Sequence, residues 1–188
     1  MNNMIYLIVG ASCSGKTSFT YNSFLKGKEF TQTKDILDYC ETNDTILLGK
    51  WDREGRTKGS DTINRVDIPL INSWIAKMLE SNKDIVLEGD KITSRTIFNY
   101  IKELNIPCKL YWIKVEPETS YERNMSNGST CSFKHLKAVT TKAQNIFIEY
   151  CDLFSGEVVD TNKLSREDFD LLDKNNYNLI CKDDSNLF

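Results

Sequence analysis

Eight consecutive residues near the amino terminus carry the clearest chemistry in this chain of 188 residues. Gly10-Ala11-Ser12-Cys13-Ser14-Gly15-Lys16-Thr17 fits the spacing G-x-x-x-x-G-K-[ST]. Glycines at the two ends of such a loop let successive backbone N–H groups turn inward around phosphate oxygens without Cβ clashes. A helix opening at Lys16 adds the positive end of its dipole. Gly10, Ser12, Cys13, Ser14, Gly15, Lys16, Thr17 and Ser18 are therefore the candidate phosphate-binding residues. Lys16 would reach the β- and γ-phosphates of a nucleoside triphosphate and act catalytically there, while the Thr17 hydroxyl would ligate Mg²⁺.

Chemistry at the phosphates also requires a carboxylate from a neighbouring strand end. Ile85-Val86-Leu87-Glu88-Gly89-Asp90 supplies two, Glu88 and Asp90, either of which can hold magnesium through water. The polar stretch 50–65 has the make-up of an acceptor site. Asp61 or Asp52 would serve as general base on a hydroxyl, Trp51 as a stacking platform, and Lys50, Arg53, Arg56, Lys58 and Arg65 as phosphate contacts. Between Arg95 and Arg166 the one arginine is Arg123, a candidate clamp on the transferring phosphate. The competing role for Arg123 is a surface pair with Glu118 or Glu122. His135, the single histidine, reads as a helix-surface residue.

Short apolar runs alternate with helical patterns along the chain. Met4–Val9 is continuous and rich in β-branched residues, as in a strand buried on both faces. A helix is expected over Lys16–Lys26, and strands over Asp44–Gly49, Asp84–Glu88, Cys108–Val115 and Gly156–Asp160. Further helices are expected over Ile68–Glu80, Ser94–Leu104 with Ser94 as cap, Pro117–Met125 and Ser132–Leu153, and a last one capped by Ser165. This alternation predicts an α/β fold: a three-layer parallel sheet of about five strands with helices on both faces, in one domain spanning 1–188.

Composition narrows the function classes. Apolar residues make up 40 %, enough for a core, and 24 basic residues against 27 acidic give a net charge of -3, which argues against a wholesale polyanion binder. No run approaches the ~20 apolar residues a membrane span needs, and Met1–Gly10 lacks the features of a signal peptide. Six cysteines without a C-x-x-C pair, and one histidine, argue for reduced thiols rather than zinc. A cytoplasmic protein is expected, with no membrane partner.

With these residues in hand, the chain resembles the small P-loop kinases of the nucleoside and nucleotide kinase superfamily. The element order carries the resemblance, together with the phosphate loop, the strand ending in Glu88-Gly89, the run Leu110–Glu118 leading to Glu122-Arg123, and Val158-Val159-Asp160-Thr161. It implies ATP and Mg²⁺ as cofactors, an acceptor-binding insertion over about 30–80 and a small lid over about 124–135. The stretch Leu48-Gly49-Lys50-Trp51 … Gly59-Ser60-Asp61-Thr62 resembles a group of bacteriophage kinases that includes the 5-hydroxymethyluracil DNA kinases. That second resemblance implies γ-phosphoryl transfer to a modified pyrimidine in DNA. The alternatives are a kinase of free (deoxy)nucleoside monophosphates and, in another class, a regulatory module that hydrolyses ATP slowly. A GTPase is disfavoured, since neither D-x-x-G nor N-K-x-D is found.

Overall fold

Strand β1 (Ile5–Gly10) has neighbours on both sides and helices on both faces, as its unbroken apolar run requires. The computed structural model describes residues 3–52 and 59–181. In it, β1 pairs in parallel with β5 (Asp84–Glu88) on one side and β6 (Cys108–Lys114) on the other. β4 (Thr45–Leu48) extends the parallel set beyond β5, and β7 (Glu157–Asp160) extends it beyond β6.

These five strands are the ones that the apolar runs predict. Two more, β2 (Thr31–Lys34) and β3 (Asp38–Glu41), add an antiparallel hairpin at the β4 edge and bring the sheet to seven strands in the order β2-β3-β4-β5-β1-β6-β7. Their sequences, Thr-Gln-Thr-Lys and Asp-Tyr-Cys-Glu, hold no apolar alternation. Backbone pairing holds them in place, together with Gln32, the fully buried Cys40 and Tyr39, whose ring lies 6.0 Å from that of Trp74. Gln32 donates to the carbonyls of Tyr39 and Gly49 and accepts from the Trp51 N–H.

Alternate residues of the parallel strands feed two cores. Ile5, Leu7, Val9, Leu48, Ile85, Leu87 and Leu110 face α2 (Ile71–Met78), α3 (Arg95–Leu104) and α5 (Phe133–Tyr150), which bury Trp74, Phe98 and Tyr150 among others. Ile8, Leu47, Val86, Ile113 and Val159 face α1 (Lys16–Phe24) and the carboxyl-terminal segment, which contribute Phe19, Phe24, Leu172 and Tyr177. Three layers result.

Several helix ends differ from expectation. The helix expected from Ile68 begins at Ile71, after a 3-10 stretch over Arg65–Leu70 that contains Pro69. Ser94 occupies the cap position of α3, but its hydroxyl makes no capping bond, whereas Ser132 does cap α5 by accepting from the His135 N–H at 3.3 Å. Ser165 and Asp168 cap one another reciprocally, yet only a 3-10 turn follows, at Asp168–Asp170. The last helix, α6, is Tyr177–Ile180. Pro117 opens α4 (Pro117–Ser126) at the position where its missing N–H costs nothing. Among the described residues no helix is long and apolar enough to cross a membrane.

Phe98 is fully buried with the rings of Tyr150 and Phe154 at 5.1 and 5.9 Å. Phe98→Ala is expected to lower stability by ~3–5 kcal/mol. A lower urea midpoint with an unchanged far-ultraviolet spectrum would establish this; an unmoved midpoint would show that this core does not carry the fold.

Candidate functional site

The loop between β1 and α1 lies at the carboxyl ends of the parallel strands. Gly15 takes φ +94°, so the chain can enter α1, and its bare Cα lets the ring of Phe169 lie directly against the backbone. Cys13 is left-handed as well, at φ +56°. The loop is held from outside at three points. The Ser120 hydroxyl donates to the Ser12 carbonyl at 2.7 Å, the Cys13 thiol to Asn124 Oδ1 at 3.6 Å, and the Thr161 hydroxyl to the Ser14 carbonyl at 2.9 Å. Ser12 is exposed, Ser18 is half-buried in the first turn of α1, and the buried Ser14 hydroxyl finds no partner among the described residues. Lys16 is buried and its ammonium donates to the Ala11 carbonyl of its own loop.

Glu88 closes the site from β5. It is 3 % exposed, its Oε1 accepts from the Thr17 hydroxyl at 3.3 Å, and its Oε2 has no partner among the described residues. Burial, partly offset by the Lys16 charge and reinforced by Asp61, pushes its carboxyl up to about 7. A buried carboxylate with one free oxygen, beside a threonine hydroxyl and a lysine, fits a magnesium ion held by Thr17 and Glu88. The other expected metal residue, Asp90, is turned to solvent and bonded to Lys142 at 2.9 Å.

The acceptor-side residues divide three ways. Asp61 belongs to a short 3-10 turn, Ser60–Thr62, seated on the end of β5. The Ser60 hydroxyl donates to the Glu88 carbonyl, and Asp61 Oδ1 lies 3.8 Å from where a side chain on Gly89 would begin. Gly59 makes this seat possible: at φ +48°, a Cβ there would stand 2.5 Å from Glu88 Oε2 and 2.9 Å from the Trp51 ring. Asp61 and Glu88 are thus brought together. Asp52 is half-buried and Lys50 is exposed, with its ammonium 3.6 Å from Asp38. Arg53 and Arg56, like Lys58, lie outside the described residues.

Two expectations need correction. Trp51 is 4 % exposed, its indole N–H donating to the Leu48 carbonyl and its ring packed against Gly59, so it offers no open stacking face. Arg123 does not stand free as a phosphate clamp. One guanidinium nitrogen, Nη2, donates to the carbonyls of Thr161 and Leu164 at 2.6 and 3.1 Å, and the guanidinium lies 5.0 Å over the Phe169 ring. Half-burial holds its pKa below the ordinary value, and Nη1 remains unpartnered among the described residues. His135 is exposed on α5, as expected. Asn124, Thr161 and Phe169 went unassigned as site residues because nothing local marks them: each reaches the loop across more than a hundred residues of chain.

No family model matches the chain, and no curated protein is significantly similar to it in sequence. Among solved structures it is similar to the deoxyadenosine kinase from M. mycoides, determined with bound dATP. The match has 13 % identity and a TM-score of 0.52, and covers 90 % of this chain and 96 % of that one. At that identity the likeness is one of fold, and it extends over nearly the whole chain.

The buried Glu88 generates a test of the site in the absence of Mg²⁺ and nucleotide. Its folded pKa, about 7, is raised from an ordinary 4.5, so its favourable contribution is complete below about 4.5 and lost as pH rises through 7. Glu88→Gln is therefore expected to stabilise the free protein at pH 8 by about 2–3 kcal/mol, with the gain vanishing at pH 4.5. Urea denaturation at the two pH values measures it; equal effects at both would mean that Glu88 is not strained by burial.

Proposed function

We propose that the chain is an ATP-dependent phosphotransferase that moves the γ-phosphoryl group to a free nucleoside-type acceptor, a (deoxy)nucleoside or its monophosphate. The observation that carries this reading is the convergence of Lys16, Thr17 and Glu88 at adjacent strand ends, with Asp61 seated beside them on the acceptor side. A nucleotide-binding fold of the same extent in the deoxyadenosine kinase structure supports it. Acceptance of a base drawn out of DNA has less support, since the indole that would stack on it is packed inside.

The reaction needs little from the protein beyond position and charge. The loop N–H groups and Lys16 hold the β- and γ-phosphates. Thr17 and Glu88 would hold Mg²⁺, which when bound neutralises charge on those oxygens. Asp61 orients the acceptor hydroxyl and takes its proton as the new O–P bond forms and the bond to the β–γ bridging oxygen breaks. A monophosphate acceptor brings its own anionic oxygen and needs no base there, so this role of Asp61 belongs to a hydroxyl acceptor. Arg123 works indirectly, fastening the 161–164 backbone and Phe169 over the loop.

Transfer of label from γ-labelled ATP to a panel of deoxynucleosides, nucleoside monophosphates, ordinary DNA and DNA containing 5-hydroxymethyluracil tests the proposal. Label is expected on a free acceptor, with Lys16→Ala reduced about 10³-fold or more and Asp61→Asn about 10²–10⁴-fold. Label on the modified DNA alone would replace the free acceptor with a base in DNA. Slow phosphate release with no labelled acceptor would make the chain a regulatory ATP-hydrolysing module.

A further inference from the structure

We infer that Lys91 is a positioning residue for the transfer, fixing Asp61 by clamping its own carbonyl and the backbone two residues after it; this rests on the phosphotransferase reading above. The need for a clamp comes from the local structure. Asp61 is exposed and sits in a 3-10 turn of three residues, preceded by Gly59. So short a turn does not order itself, because each residue fixed gains too few hydrogen bonds. Its position must be imposed by contacts from elsewhere in the fold.

Those contacts can be counted off. The Ser60 hydroxyl donates to the Glu88 carbonyl before Asp61, and the Thr62 hydroxyl folds back to the Gly59 carbonyl at 2.7 Å while accepting from the Lys50 N–H at 3.0 Å. The Lys91 ammonium donates to the carbonyl of Asp61 itself, at 2.9 Å, and to that of Ile63 two residues on. Among these bonds it is the one that spans Asp61 and the chain after it. Lys91 lies in the turn that follows β5, three residues after Glu88. Its stem thus ties the candidate proton acceptor to the strand that carries the metal-binding carboxylate.

The charge on Lys91 makes these bonds stronger than neutral ones, by roughly a factor of two. Two of its three donors are committed to carbonyls, which sets it apart from Lys50, an exposed cation beside Asp38. Loss of the clamp leaves the turn hinged on its Ser60 and Thr62 bonds, free to rotate the carboxylate of Asp61. A shift of about 1 Å in such a group costs about 10²-fold in rate.

Lys91→Met keeps the stem and removes the ammonium; Lys91→Arg restores the donors. The measurements are kcat and KM for ATP and for the labelled acceptor, with amide hydrogen exchange at Thr62 and Ile63. These N–H groups bond to the carbonyls of Gly59 and Ser60. Lys91→Met is expected to lower kcat by about 10–100-fold with the KM for ATP within about twofold, and to speed exchange at both amides by about tenfold while β1 and β5 stay protected. Lys91→Arg is expected to recover most of the rate. Unchanged exchange would overturn the clamp, and faster exchange with unchanged kcat would overturn its bearing on the reaction. A raised KM for ATP at constant kcat would make Lys91 a phosphate contact instead. Wild-type protein that labels no acceptor would overturn the phosphotransferase reading itself, a failure that the exchange measurement does not share.

Discussion

The parallel pairing of β1 with β5 is the constraint on which the site depends. It sets Ile8 level with Glu88, so the strand that delivers the Gly10–Thr17 loop and the strand that delivers the buried carboxylate end together. A carboxylate so deeply buried is costly, because ionisation there forfeits hydration that few protein groups replace. The fold bears that cost at the one place where a lysine, a threonine hydroxyl and the positive end of α1 converge on it. Adjacent sheet register thus turns two separate sequence motifs into one electrostatic unit.

A second consequence concerns how the loop is kept in shape. Its carbonyls and thiol are bonded from α4 and from the residue after β7, and the Phe169 ring lies on Gly15. Asn22 of α1 donates to the carbonyls of Phe169 and Leu172, so the carboxyl-terminal segment is fastened to the helix that the loop opens. Helix α4, the residue after the final strand and the carboxyl-terminal segment therefore all meet at the backbone of this loop. Motion of any of them on nucleotide binding would be felt there, because these contacts share the same few carbonyls.

The rim beside Glu88 is built by close approach of backbone segments, with the Lys91 side chain fastening the turn at Asp61. Gly49, Gly59 and Gly89 come together where β4 and β5 end, and a Cβ at any of them would collide with its neighbours. That packing lets Ser60 reach the Glu88 backbone and leaves Asp61 at the rim. It also explains the fate of Trp51. The space above Gly59 is large enough for an indole edge, and burial of so large an apolar ring outweighs keeping it open to solvent.

Local signals sufficed for much of this. The five parallel strands were legible because strands buried on both faces must be apolar throughout, and the turn from β1 into α1 because its glycines answer to backbone geometry within eight residues. The hairpin β2–β3 was not legible, since its mostly polar strands are held by backbone pairing, by Gln32 and by the packing of just two side chains, Tyr39 and Cys40. The site beyond the loop was half legible. Glu88 and Asp61 stand out by residue type and place, but that Glu88 is buried beside Thr17 while Lys142 engages Asp90 from across 52 residues is a matter of tertiary contact. Arg123 is the sharper case: its charge pointed to phosphate, while three backbone carbonyls and an aromatic ring far along the chain claimed it. Sequence by itself determined which groups with chemical potential are present and which strand ends carry them. Only the tertiary structure decided which of them remain available, because a charged side chain is committed by whichever distant partners the fold brings within hydrogen-bond reach.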